Sequence, residues 1–188
     1  MAPIPRYLLA CVLAATLGGA AACSDAVAPP PAPAPAASSG APGFFGGTDL
    51  AWIEINIAMD EQLAPLLALA PRHSRNARVK ALNAEVKAFS SAELSTLRQL
   101  HDEAKLPAEN PHEGMVMPGM VTPSEVAQAA TLDGTDFDAL TLKTVRDYLT
   151  QGVNLAQSEA KNGVEPRTRA LAASGQATRT EILTSLSA

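Results

Sequence analysis

The sequence has little cysteine: only Cys11 and Cys23 occur in 188 residues. Cys11 lies inside an apolar N-terminal segment with the features of an export signal, so its removal would leave Cys23 as the single thiol. One thiol cannot form an intramolecular disulfide, although an exported compartment would permit one. A disulfide-stabilised fold is therefore excluded, and Cys23 is better interpreted as an anchor than as a nucleophile.

The chain also lacks the common motifs of catalysis. No serine lies in Gly-x-Ser-x-Gly, and no glycine-rich phosphate loop follows a strand pattern. We therefore expect a protein that is not an enzyme. Lys and Arg number 14 against 19 Asp and Glu, a net charge of -5. This acidic balance argues against nucleic acid as a partner and against electrostatic binding to anionic lipid.

Residues 1–22 predict an export signal: Arg6 precedes an apolar run that is too short to span a bilayer, and small residues follow. Cys23 comes directly after Ala20, Ala21 and Ala22, as in a bacterial lipoprotein signal, where this cysteine is lipidated. The alternative is ordinary cleavage after Ala22, which leaves a free thiol. Residues 23–47 form a linker whose Pro-Ala alternation favours extended polyproline II. The sequence predicts an exported protein held by lipid on the outer side of the cell membrane.

The remaining residues, 48–188, have the size of one domain and show helical periodicity without strand signals. The first half contains a helix from Thr48, a turn at residues 71–76 and a second helix to about Ala104. The second half repeats this pattern at an offset of 89 residues, after a short helix with a capping box. Two repeated helical hairpins joined by a methionine-rich loop predict an all-α four-helix bundle.

The loop between the halves holds a candidate metal site. Proline and glycine exclude regular structure there, and the segment carries one imidazole and three thioethers: His112, Met115, Met117 and Met120. Soft sulfur ligands select Cu(I), and imidazole suits copper as well. The simpler interpretation is a connector whose methionines pack over the helices, since methionine fills irregular gaps.

Polar residues on the apolar faces of the predicted helices form a second candidate site: Asp60, Glu93, Tyr148 and Glu181. Carboxylates on facing helices can bind two metal ions, but such sites use Glu-x-x-His motifs, and none occurs here. A buried hydrogen-bonded network is the preferred interpretation, with Arg146, Arg98 or Arg179 as candidate partners, because unpartnered buried carboxylates are costly.

The segment Met117-Pro118-Gly119-Met120, followed by Gly134-Thr135-Asp136-Phe137-Asp138, resembles the ferritin-like, CopM-like family of exported bacterial proteins. The resemblance extends from Asp49 to Leu186 and implies a ferritin-like bundle in which each half carries a His-His pair. Some members of that family bind copper. Here the two pairs fall on Met59-Asp60 and Tyr148-Leu149, so the resemblance does not imply an interior copper site in this chain.

Two classes of function remain. One is an envelope protein that binds copper through the loop. The other is a non-catalytic interaction or structural module, with an envelope protein as partner, that has lost the metal site of the family.

Overall fold

The computed structural model describes residues 43–187. The predicted export signal, Cys23 and most of the linker lie outside the described residues. Within the described range the chain forms five α-helices and no strand, which confirms the all-α prediction. The helices are α1 (Gly47–His73), α2 (Ala77–Glu103), α3 (Pro123–Ala129), α4 (Gly134–Asn162) and α5 (Pro166–Ser187). Among these five helices, none combines the length and the apolar character needed to cross a bilayer.

Local sequence sets the starts of α2 and α3. The side chain of Asn76 accepts a hydrogen bond from the Arg78 amide at 2.9 Å and so caps α2. Thr122 and Glu125 form the predicted capping box of α3, with Pro123 at the first helical position. The predicted turn from Pro71 is wrong in one respect, because α1 continues through Pro71 to His73.

The four long helices pack as two hairpins, α1 with α2 and α4 with α5, and the hairpins meet mainly through α1 and α4. Large apolar side chains without solvent exposure fill the space between them, among them Ile53, Met59, Leu63, Leu66, Phe137 and Leu149. His73, in the last turn of α1, bonds to the Leu132 carbonyl at 2.9 Å and stacks on Phe137. This contact ties the end of α1 to the start of α4.

The start of α1 is fastened to the turn between α4 and α5 by two buried acids, Asp49 and Glu159. The Asp49 carboxylate accepts hydrogen bonds from the amides of Val164 and Glu165, each at 3.0 Å. Neither carboxyl oxygen of Glu159 meets an N–H or O–H donor among the described residues. A hydrogen bond between the two acids therefore requires a proton on one of them.

Their pKa values assign that proton to Glu159. Burial, the hydrogen bond to Asp49 and the charge of Asp49 raise the pKa of Glu159 to about 8. The charge of Arg169 lowers this pKa by less, and the charge of Glu165 adds a small further increase. Burial also raises the pKa of Asp49. The hydrogen bonds from Glu159 and from three backbone amides outweigh that effect and hold it below the usual range. At neutral pH a protonated Glu159 thus donates to an ionised Asp49.

This pair makes the stability of the fold depend on pH. The unfolded chain releases the Glu159 proton near the ordinary glutamate pKa of 4.5, whereas the folded chain keeps it to about 8. Between these values the folded state binds more protons, so the free energy of unfolding falls as pH rises. From this group the decrease is at most about 1.4 kcal/mol per pH unit. We expect Glu159→Gln, whose amide donates to Asp49 without titrating, to remove this part of the slope.

Urea unfolding followed by circular dichroism at pH 5, 6, 7, 8 and 9 measures the effect. As pH rises to about 8, the free energy of unfolding of the variant should increase relative to that of the wild type. Above pH 8 the difference between the two proteins should stay constant. Glu181→Gln is the matched control, because Glu181 is exposed on α5. Parallel stability curves for the wild type and Glu159→Gln would contradict the assignment of the proton.

Candidate functional site

The loop between α2 and α3 lies against the side of α1 and is fixed there at two points. The side-chain amide of Asn110 donates to the Glu54 carbonyl at 2.8 Å. The amide of Gln62, oriented to satisfy both neighbours, donates to the Val121 carbonyl at 2.9 Å and accepts from the Gly114 amide at 3.2 Å. The loop backbone is therefore positioned by α1.

A tight turn brings His112 and Met115 together. The Asn110 side chain accepts a hydrogen bond from the His112 amide at 2.9 Å, and the Met115 amide donates to the His112 carbonyl at 3.2 Å. Gly114 supplies the positive φ of +72° that the turn needs. As a result, Nδ1 of His112 lies 3.4 Å from Sδ of Met115. The Met115 side chain is 46% exposed, so this pair is open to solvent.

The second turn, Met117-Pro118-Gly119-Met120, directs the side chain of Met120 into the core, whereas the first turn leaves Met115 at the surface. The Met120 amide donates to the Met117 carbonyl at 3.1 Å, and Gly119 has a φ of +81°. Proline second and glycine third is the pattern of a type II turn. A Cβ on Gly119 would also lie 2.9 Å from the Asp147 carbonyl of α4, so the backbone approaches that helix closely. The turn seats Met120 in the core at 6% exposure, which removes it from the predicted ligand set.

Met117 takes an intermediate position. Its side chain is half-buried and packs against the same apolar cluster as Met120. Of the four predicted loop ligands, the structure thus brings His112 and Met115 into contact, leaves Met117 partly accessible and buries Met120. Within residues 43–187, no group of three His, Cys, Asp or Glu side chains is arranged to hold a metal ion.

The interior polar site contains one residue from each long helix: Asp60 from α1, Glu93 from α2, Tyr148 from α4 and Arg179 from α5. The Arg179 guanidinium forms two hydrogen bonds to the Glu93 carboxylate, at 2.9 and 2.5 Å. The Tyr148 hydroxyl donates to Asp60 at 2.5 Å and accepts from Arg179 at 3.4 Å. All four side chains are at most 4% exposed, so water does not screen them.

The charges of this cluster balance. Burial raises the pKa of Asp60 well above its ordinary value, and the Glu93 charge adds to the rise, against the hydrogen bond from Tyr148 and the charge of Arg179. The second carboxyl oxygen of Asp60 has no hydrogen-bond partner, which agrees with a neutral acid. Burial opposes the charge of Arg179, but its interactions with Tyr148 and Glu93 hold the guanidinium pKa above its usual value. One cation therefore faces one anion.

The prediction that Glu181 points inward is wrong: its side chain is exposed on α5. Residues 179 and 181 are separated by about 200° around a helix, so only one of them can face the core. The inward position belongs to Arg179, which sequence analysis named only as one of three candidate partners. Two glycines in the sequence correspond to its burial, because a Cβ on Gly152 or on Gly175 would overlap the guanidinium group. Glycines on two packed helices leave the room that it occupies.

Comparisons with known proteins identify the family but no activity. The model for DUF305, a domain of unknown function, matches residues 49–187. Two solved structures are similar in fold. A Streptomyces coelicolor DUF305 protein, described as a candidate secreted protein, has a TM-score of 0.66 at 18% identity over 74% of this chain and 89% of its own. A DUF305 fragment from Deinococcus radiodurans has a TM-score of 0.67 at 15% identity, over 76% of this chain and 95% of the fragment. No curated protein matches the chain.

The interior cluster leads to a prediction about stability. We expect Arg179→Met to cost about 3–5 kcal/mol of unfolding free energy, because it leaves the Glu93 carboxylate buried without its cation. Arg179→Met combined with Glu93→Gln should be less destabilising than Arg179→Met alone, because the double variant removes both charges. Urea unfolding of the four proteins in this cycle measures the coupling.

Arg169→Met on the same helix is the matched control, because Arg169 is exposed. The expected effect of this control is within about 0.5 kcal/mol. An Arg179→Met variant as mild as Arg169→Met would overturn the view that the guanidinium is needed to neutralise the interior.

Proposed function

The chain belongs to the DUF305 family, a domain family of unknown function, and we propose its role from the geometry of the chain itself. The proposed role is a non-catalytic, lipid-anchored envelope protein that binds Cu(I) through His112, Met115 and Met117. The observation that carries the proposal is the 3.4 Å contact between His112 Nδ1 and Met115 Sδ. Bonds from a first-row metal to nitrogen and sulfur are about 2.0–2.3 Å. One ion can therefore contact both atoms without a large rearrangement of the turn.

The ligand types favour monovalent copper. A thioether and a neutral imidazole are soft or borderline donors, which suit Cu(I) and give little affinity for magnesium or calcium. Met117, partly accessible two residues after Met115, supplies the third donor of the proposed site. The hydrogen bonds of Asn110 and of the turn already order the His112–Met115 segment, which lowers the entropic cost of gathering its ligands.

The interior supports a copper site in the loop and not between the helices. Where the resemblance to CopM-like proteins implies His-His pairs, this chain has Asp60 and Tyr148 bonded to each other, with Arg179 beside them. The guanidinium group is a fixed cation that neutralises Glu93, so a metal ion there would meet like charge. The ferritin-like four-helix bundle of that family is therefore proposed here as a scaffold without an interior metal.

A second candidate function is a non-catalytic interaction module. The observation that favours it is the apolar tip of the same loop, where the Val116 side chain is 87% exposed and Met115 is 46% exposed. Exposed apolar side chains on a fixed loop suit contact with another envelope protein. Copper binding by the purified protein separates the two candidates.

The anchoring part of the proposal rests on Cys23 and the linker that follows it. A lipidated cysteine and about twenty Pro- and Ala-rich residues would hold the helical domain away from the bilayer. The description of the Streptomyces coelicolor relative as a candidate secreted protein agrees with export. Cys23 is then the site of attachment, and the loop faces the space outside the membrane.

We expect Met115→Leu and His112→Gln each to weaken Cu(I) binding, measured by competition with a chromophoric Cu(I) chelator. Each change removes one donor while keeping the side chain similar in size. Met120→Leu is the matched control: this methionine belongs to the same loop but lies in the core, so copper retention should be unchanged. Equal retention by the wild type and Met115→Leu would reject the site, and no retention by the wild type would favour the interaction module.

Cys23→Ala should move the protein from the membrane fraction to the soluble exported fraction and abolish incorporation of labelled fatty acid. Ser24→Ala serves as the neighbouring control and should keep both properties. Membrane association of Cys23→Ala, together with a wild type that carries no lipid, would overturn the anchor and point to a retained signal segment.

A further inference from the structure

A surface recess of about 330 Å³ lies between α1, α3 and the end of the loop. Most of its wall is apolar and comes from Ala58, Pro65, Val121, Pro123 and Val126. Its polar lining consists of Glu61, Gln62 and Glu113. The volume is at the lower end of the range for small-molecule sites, and such sites are mainly apolar with a few placed polar groups.

The walls of the recess are held in place before any ligand arrives. Gln62 bonds to Val121 and Gly114 and so fixes the loop across from α1. Pro123 is the first residue of α3, where its φ is set by its own ring and the capping box fixes the helix end. A pre-formed site loses less entropy on binding than one that must be assembled.

The polar groups of the recess are almost all hydrogen-bond acceptors. Pro65 has no N–H, so it cannot bond to the Glu61 carbonyl four residues earlier in α1. One oxygen of the Glu61 carboxylate accepts a hydrogen bond from the Arg98 guanidinium at 2.7 Å. Among residues 43–187, no Lys, Arg or His side chain forms an ion pair with Glu113. A carboxylate without a counter-ion beside an apolar wall attracts a ligand that carries N–H donors and positive charge.

We propose that this recess binds a small organic ammonium ion with an apolar body. The apolar walls would contact the body of the ligand, and Glu113 and Glu61 would accept hydrogen bonds from the ammonium group. Both carboxylates are exposed, so a neutral apolar ligand would gain no charge pairing from them, and an anion would meet like charge on both acids. The recess shares no ligand with the proposed copper site, because no methionine or histidine lines it, although Glu113 belongs to the same turn as His112 and Met115.

The test uses 2-phenylethylammonium as the probe and 2-phenylethanol as its neutral counterpart, with the full chain observed by two-dimensional NMR during titration. The ammonium should shift the amide resonances of Ala58, Gln62, Val121 and Val126 at millimolar concentration or below. The alcohol should bind at least about fivefold more weakly, since it lacks the charge that pairs with Glu113. Added salt should weaken the ammonium and leave the alcohol unaffected.

Two variants locate the site. Glu113→Gln should weaken the ammonium about two- to fivefold and leave the alcohol unchanged, because it removes only the charge. Val126→Trp should abolish binding of both probes by filling the recess, with circular dichroism showing that the helices persist. Glu109→Gln is the matched control, an exposed acid of the same loop that does not line the recess.

Three results would overturn the proposal. The first is no resonance shift with the ammonium at millimolar concentration. The second is equal binding of the ammonium and the alcohol. The third is an equal loss in Glu113→Gln and Glu109→Gln, which would indicate general attraction to an acidic surface.

Discussion

The ion pair between Arg179 and Glu93 is the constraint on which the rest of the structure depends. A guanidinium without solvent exposure must have its counter-ion at hydrogen-bond distance, since the cost of an unpaired charge at this depth is several kcal/mol. The pair joins α5 to α2, and Tyr148 and Asp60 extend it to α4 and α1. A shift of α2 by one residue would turn Glu93 by about 100° and leave the cation alone. We infer that the cluster selects one register for the four helices.

The same pair determines where chemistry with an external ion can take place. The interior already contains a cation that belongs to the chain, balanced by one carboxylate, while a neutral Asp60 accepts from Tyr148. The guanidinium carbon of Arg179 also lies 4.8 Å from the ring centre of Phe89, and the side chain has no solvent exposure, so the cation is enclosed. A metal would have to displace Arg179 into an apolar core. Among residues 43–187, the accessible thioether donors lie on the loop, because Met59 and Met120 are buried.

Helical periodicity in the sequence predicts part of this arrangement. Asp60 and Glu93 stand on apolar stripes, so their inward direction followed from spacing alone, and Tyr148 followed from the repeat. The inward prediction for Glu181 rested on its likeness to Glu93, but the buried positions of α5 follow those of α2 at an offset of 89 residues. Ile182 is therefore the equivalent of Glu93, and Arg179 is the equivalent of Ser90. The pairing of Asp49 with Glu159 had no local signal: the first looks like an ordinary helix-start acid and the second lies among polar residues. Only the meeting of α1 with the α4–α5 turn reveals it.

The methionines of the loop show why composition alone does not define a ligand set. The three thioethers lie within six residues, and spacing treats them as equivalent. Two turns, each with a glycine at positive φ, make them different. The first turn holds Met115 outward beside His112, and a Cβ on its Gly114 would meet open space. The second is pressed onto α4 at Gly119, so Met120 enters the core and contributes to packing. The direction of each sulfur is therefore a property of backbone conformation. Met120 stabilises the fold, Met115 remains open to a ligand beside His112, and Met117 is partly accessible between them.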